Sequence, residues 1–295
     1  MPGRALAVAL LLAVANFEPA GAAQRPGQRE VLERLGVYLL GYERQLASLV
    51  AEERYQQWVE RRRDGDRSDA LPAERRTLVS DFGFLRLPGR SEWLGLRDTF
   101  LVDGQPVRPR DARLERLLAD GSPGALDELR RGIVEQNARY NLGDVARTIN
   151  VPMLALDLLN PRHRWRFSFR RREDVRVDGR DLWTIAFDER ERPTVVRGPR
   201  GDNRPARGIA WVDPIDGAVL WTQLRLGDGG GRNPLEATVT VRYEYSPAVD
   251  LLVPVEMREL YDVSAREAEA DGIRAVATYS NFRRFQASAR LVPAR

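Results

Sequence analysis

The 295-residue sequence predicts an α+β protein in which a helical front precedes an antiparallel sheet. Three observations carry that reading. Apolar residues recur at helical steps from Val31, the chain alternates apolar and polar residues almost without interruption after Pro161, and short turns separate the alternating runs. With 43% hydrophobic residues the chain buries a core without staples, which excludes wholesale disorder.

The elements follow in order. Val31, Leu35, Tyr38, Tyr42, Leu46 and Leu49 are spaced by three or four, one face of a helix of about five turns. Arg54–Glu60 reads as a short strand and Arg63–Glu74 as a charged loop. Strands are expected at Arg76–Leu87 and Glu92–Val102, parted by Pro88-Gly89. Helices return between Asp111 and Asn160: Ser122-Pro123 is an N-cap followed by proline at the first helical position. The stretch Ile149–Leu159 is apolar nearly all round, so other elements should enclose it.

Beyond Pro161, Trp165, Phe167 and Phe169 should share one strand face, as should Trp183, Ile185 and Phe187 on the next strand. Asp178-Gly179 lies between these two strands. Asp213-Pro214-Ile215-Asp216-Gly217 joins two strands that each carry a tryptophan, Trp211 and Trp221. Ala237, Val239, Val241, Tyr243 and Tyr245 alternate with Thr238, Thr240, Arg242 and Glu244. Val253–Tyr261 and Ile273–Phe285 complete an antiparallel meander.

Composition narrows the chemistry. No cysteine excludes thiolate catalysis, thiolate metal sites and a lipid-modified N-terminal cysteine. One histidine, His163, excludes a His-pair metal motif. All 47 basic residues are arginine, so lysine Schiff-base chemistry and a phosphate-loop lysine are absent, and a GC-rich bacterial genome is the expected source. Met1–Arg4, an apolar run Ala5–Ala15 and the small residues Gly21, Ala22 and Ala23 follow the order of a secretory signal peptide, with cleavage near Ala23. The apolar run is shorter than the ~20 residues that span a bilayer. The expected location is the periplasm of a Gram-negative-like bacterium, where a large cysteine-free domain is tolerated.

Motifs of the kinds that carry chemistry elsewhere have simpler readings here. Residues 161–172 hold six arginines and no acid, so the rest of the chain is slightly acidic although the whole is +4. Strand alternation places aromatics inward and Arg164, Arg166 and Arg170 outward, available to an anionic surface such as lipid headgroups. Export argues against nucleic acid. Gly227–Gly231 lacks the Gly-Lys-Ser/Thr of a phosphate loop. Asp64, Asp66 and Asp69 lack the glycine and glutamate of a calcium loop, so no metal is expected. His163, between Arg162 and Arg164, resists protonation, and no Gly-x-Ser-x-Gly elbow accompanies it.

The meander segments TrpValAspProIleAspGlyAlaVal, ValThrValArgTyrGluTyr and LeuValProValGluMetArgGluLeuTyr, behind an N-terminal helix, resemble the outer-membrane lipoprotein-sorting group. That group contains the LolA and LolB carriers and the N-terminal domain of RseB; the likeness covers mainly residues 161–286. It implies a single domain over residues 24–295, a curved antiparallel half-barrel whose concave apolar face is covered by helices, with a helical insertion at about 103–160. It also implies a non-catalytic binding protein without cofactor, for a lipid or the acyl chains of a lipoprotein. Trp183, Phe187, Trp211 and Tyr243 would offer an aromatic face, and Leu154 and Leu158 would belong to a plug or lid over it. A filled core accounts for the same residues. The alternative within the group is an envelope interaction or sensor module that binds a protein through its sheet edge or arginine-rich face.

Overall fold

A computed structural model describes residues 26–60, 72–86, 93–111, 113–120, 124, 139–142, 149–198, 201–227, 235–263 and 272–284. The segment expected to be a signal peptide, Pro88-Gly89, Ser122-Pro123, the Asp64–Asp69 cluster and most of the glycine run at 227–231 lie outside those residues.

Helix α1 (Gln28–Leu46) buries Val31, Leu35, Leu39, Tyr42 and Leu46, the stripe expected from the sequence. Leu49 does not extend that helix; it opens strand β1 (Leu49–Glu60). The strand begins at Leu49 rather than at the expected Arg54, because its inward positions include the polar Glu53 and Gln57. β2 (Pro72–Arg86), β3 (Trp93–Val102) and β4 (Gln105–Pro106) continue as an antiparallel meander. Between β4 and Pro161 the described helices are α2 (Arg113–Asp120) and α3 (Leu154–Leu159).

A second meander follows a 3-10 turn at Arg164–Arg166: β5 (Phe167–Arg171), β6 (Val175–Val177), β7 (Arg180–Glu189), β8 (Ala206–Val212), β9 (Val219–Leu226), β10 (Leu235–Ser246), β11 (Leu251–Val263) and β12 (Gly272–Arg284). Asp178 and Gly179, with φ of 49° and 80°, form the two-residue turn from β6 to β7. Trp165 does not share the Phe167–Phe169 face as expected; it sits in the 3-10 turn and is 68% exposed.

β12 returns beside β1, so the two meanders fuse into one twelve-stranded antiparallel sheet of order β4-β3-β2-β1-β12-β11-β10-β9-β8-β7-β5, with β6 also on β7. The sheet is open, edged by β4 and β5, which fits a curved sheet.

One face of the sheet, called inner below, meets α1 and α3. Gly217 (φ 78°) brings the β8–β9 turn onto the α1 backbone: a Cβ there would lie 2.4 Å from the Leu35 nitrogen. Arg34 Nη1 donates to the Pro214 carbonyl at 2.5 Å, and the Gln28 amide bridges to the backbone of Phe169 and Arg171 on β5. Not every helix gathers on that side. α2 lies on the opposite face, where Leu114 and Leu118 fill the space left by Gly83. The β2–β3 region is therefore closed on both faces, with Phe82 and Val151 packed around Gly95 on the inner one.

Candidate functional site

The inner face gathers most of the residues expected to bind ligand. Cross-strand pairing of Trp183 with Val212 and Phe187 with Gly208 puts both aromatics inward, and both are buried. Phe187 lies edge-on to Phe167 at 6.0 Å and covers Gly208. The Arg171 guanidinium stacks on the Trp183 ring at 3.5 Å. Tyr243 hydroxyl donates to the Pro152 carbonyl at 2.6 Å, tying β10 to the segment that leads into α3. On α3, Leu158 is fully buried and Leu154 half-buried.

Trp211 is elsewhere. It pairs with Thr184 and Trp221, residues of the outer face, and its ring stacks on Trp221 at 4.6 Å. Trp183, Phe187 and Tyr243 are thus brought together with Leu158 in one core, and Trp211 is separated from them by the sheet.

Segment 149–159 occupies the space a ligand would need. Val151, Met153, Leu156, Leu158 and Leu159 are buried in the common core. The cavity left between α1 and α3, lined by Leu39, Tyr42, Glu43, Met153, Leu156 and Asp157, holds about 10 Å³, room for one water at most. Polar groups fasten the segment. Arg97 donates to the Asn150 carbonyl at 2.8 Å while gripping the buried Glu53 at 2.5 and 2.9 Å, its guanidinium 5.0 Å from both the Tyr55 and Phe82 rings. Gln57 holds the backbone of Tyr140 and Leu142. Arg162 joins α1 to α3 through Glu43 at 2.7 Å and through Asp157. Tyr55 and Tyr261 both donate to Glu259 beside this cluster, at 3.3 and 2.5 Å. These buried carboxylates are occupied by guanidinium or phenol donors, an arrangement that locks packing.

His163 stands at the turn before β5, half-buried. Burial, then the neighbouring Arg162 and Arg166 cations, lower its pKa to about 4, so the imidazole is neutral at pH 7. Among the described residues no three His, Asp or Glu side chains cluster to hold a metal ion.

The arginines of 161–172 divide by face. Arg164 donates to the Leu32 carbonyl and packs over Gly36 of α1. Arg166 reaches Glu189 at 3.4 Å and the Pro193 carbonyl. Only Arg170 of the expected trio points into open space. It lines an outer-face groove of about 440 Å³ with Arg172, Arg190, Arg207 and Arg225. Ser168, Asp188, Ala186, Ile209 and Gln223 also line it, with Phe187 and Gly208. Asp188 is held by Arg190 at 2.9 Å. The side chains of Arg170, Arg172, Arg207 and Arg225 have no hydrogen-bond, ion-pair or ring partner among the described residues. Arg207 and Arg225 stand directly opposite each other on β8 and β9. Sequence reasoning missed these two because each is a single charge in an otherwise ordinary strand; pairing register alone unites them.

No protein-family model matches the chain, and no curated protein matches it. Among solved structures, a DUF1329 family protein from Desulfovibrio piger is similar at TM-score 0.37 and 14% identity, covering 90% of this chain and 94% of that one. A putative outer membrane lipoprotein-sorting protein domain from Vibrio parahaemolyticus is similar at TM-score 0.33 and 10% identity, over 88% and 95%. The MucA/MucB complex of Pseudomonas aeruginosa is similar at TM-score 0.20 and 11% identity, over 88% and 100%. No helix among the described residues is long and apolar enough to cross a membrane.

Proposed function

We propose that this chain is an exported, non-catalytic binding protein of the bacterial envelope, working in the periplasm, that recognises an anionic partner through the outer face of its sheet. One observation carries the reading: four arginines without partners among the described residues surround one groove, while the inner face is filled by the protein's own segment 149–159. Export is read from the order of residues 1–23. No cofactor is needed for such a role.

A second reading, carriage of a lipid or the acyl chains of an acylated protein, is favoured by the continuous apolar lining that includes Trp183, Phe187 and Tyr243. It requires segment 149–159 to leave that lining, each buried ligand methylene then contributing about 0.8 kcal/mol.

Native mass spectrometry of the protein purified from its own envelope separates the two, using wild type and the variant R207E/R225E. An anionic partner retained by wild type and lost on charge reversal supports the first reading. A lipid mass retained equally by both proteins moves the assignment to the second, and retention of nothing by wild type sinks both.

A further inference from the structure

We propose that the outer-face groove is a binding site for phosphate groups, taking a ligand that carries at least two of them. The inference rests on the reading of this face as the anion-binding surface and names the chemistry recognised there.

The geometry begins with register. On the outer face, one cross-strand row runs Ser168, Asp188, Arg207, Arg225, and the next runs Arg170, Ala186, Ile209, Gln223. Arg172 follows two residues beyond Arg170, and its backbone N–H still donates to Thr184 at 2.8 Å, so it stays on the same edge. Two arginine pairs therefore flank a floor of Ala186, Ile209 and Gln223: Arg170 with Arg172 on the edge strand, and Arg207 with Arg225 three strands in. At about 4.8 Å per strand the pairs lie roughly 10–14 Å apart, too far for one small anion to touch both.

The chemistry of the inner pair distinguishes phosphate from carboxylate. Directly opposed residues have Cβ atoms about 5 Å apart, and like charges placed so repel. Each guanidinium presents a planar fork of N–H donors. A carboxylate presents its two oxygens in one plane, matched to a single fork; a phosphate group carries more charge and has three acceptor oxygens in a tetrahedral array, matched to two forks at once. The one carboxylate in the groove, Asp188, is already taken by Arg190, whose Nε also donates to the Ser168 hydroxyl at 3.1 Å. Asp188 is also the cross-strand neighbour of Arg207, but with its carboxylate on Arg190 it offsets the Arg207–Arg225 opposition only in part, and a bridging oxyanion offsets the rest.

Sources of such phosphate groups include soluble polyphosphates and phospholipid headgroups, and the test separates them. The full exported chain is titrated calorimetrically with tripolyphosphate, with inorganic phosphate and with a poly-glutamate peptide, at low and high salt. Flotation with phosphatidylglycerol and phosphatidylcholine vesicles runs beside it. Wild type should bind tripolyphosphate, more weakly inorganic phosphate, with affinity falling as salt rises. R207A and R225A should each lower that affinity about tenfold, since each loses a charge-assisted bond. R54A, an exposed change on β1 outside the groove, should leave it unchanged. Flotation with phosphatidylglycerol alone, lost in R207A/R225A, would assign the phosphate to a headgroup. Phosphatidylglycerol binding that survives R207A/R225A overturns the site. Poly-glutamate binding with no response to tripolyphosphate overturns the phosphate assignment and leaves the anionic-partner reading standing; silence with every ligand overturns both. Thermal melts of the variants control for folding, and relief of the Arg207–Arg225 repulsion should leave melting at or above wild type.

Discussion

Truncating Leu158 to alanine decides whether segment 149–159 is core or lid. Leu158 is 0% exposed on a helix of six residues, and the nearest void holds only about 10 Å³. The substitution removes three carbons, about 2.4 kcal/mol at ~0.8 per methylene, before any cavity term. The surrounding side chains have little slack to collapse, so the total should reach about 3–4 kcal/mol, inside the range for buried leucines. In a chain of this size that lowers Tm by roughly 6–12 °C. Urea denaturation at constant m gives the same number independently. The comparison is Leu154→Ala on the same helix, half-buried, expected to cost less than half as much. The loss in stability has a ceiling. If the segment opens on its own while the sheet stays folded, contacts it makes stabilise the whole only up to its opening free energy. A loss below about 1 kcal/mol for Leu158→Ala would therefore refute the filled-core description, and would favour a lid that leaves the apolar face free for acyl chains.

Three further outcomes follow from the same geometry. His163 is the chain's one imidazole, so a proton NMR titration reads it alone; a pKa near 4 is expected, and a value near 6.5 would refute its burial among Arg162 and Arg166. Because its folded pKa is depressed, the unfolded chain binds the proton first. The stability from the neutral form is complete above about 6.5 and falls as pH drops towards 4, and His163→Gln should flatten that part of the acid profile. Gly217→Ala should destabilise by more than ~2 kcal/mol, since it strains a positive φ and drives a Cβ into the α1 backbone; a neutral melt would mean α1 does not rest on that turn. Arg97→Ala should cost about 3–5 kcal/mol by leaving Glu53 charged and buried, and Glu53→Gln added to it should recover part of the loss. Additive losses in that double variant would contradict the buried pair.

Much of the sheet was legible because one of its faces is buried. The β10 alternation of Ala237, Val239, Val241 and Tyr243 survives as burial, and fails at Tyr245, where the strand runs out to the turn and the hydroxyl finds Asp250 instead. The Asp-Pro-x-Asp-Gly turn was visible from its residues, and its service as a rest for α1 was not. β1 was half hidden because Glu53 and Gln57 break the apolar alternation; their burial depends on Arg97 and on the Tyr140–Leu142 backbone, contacts that no local window contains. The pairing of β1 with β12 joins residues more than 200 positions apart, which periodicity cannot announce.

The candidate site was legible in composition and illegible in register. A one-residue slip moves every side chain of a strand to the other face. That is how Trp211 was grouped with Trp183, although Trp183 pairs with Val212 and Trp211 faces Trp221 outside. The arginine cluster at 162–172 shows the same dependence: the 3-10 turn at Arg164–Arg166 interrupts alternation, turning Arg164 to α1 and Arg166 to Glu189, so that of the expected trio Arg170 alone points outward.

The remaining arginines of the groove gain meaning from what the fold does with its acids. Asp174 serves Arg171, Asp188 serves Arg190 and Glu189 serves Arg166, all within a few residues of the groove. Among the described residues Arg170, Arg172, Arg207 and Arg225 form no ion pair, although Asp188, held by Arg190, is the cross-strand neighbour of Arg207. A strand position facing solvent accepts threonine or serine with little effect on stability, so opposed cations at Arg207 and Arg225 are not required by the sheet. Placing them there works against the fold by cross-strand repulsion. The +4 net charge is accordingly less a property of the chain than of one surface, where five guanidiniums face solvent against a single carboxylate. An anion resolves that imbalance, and nothing else lining the groove does.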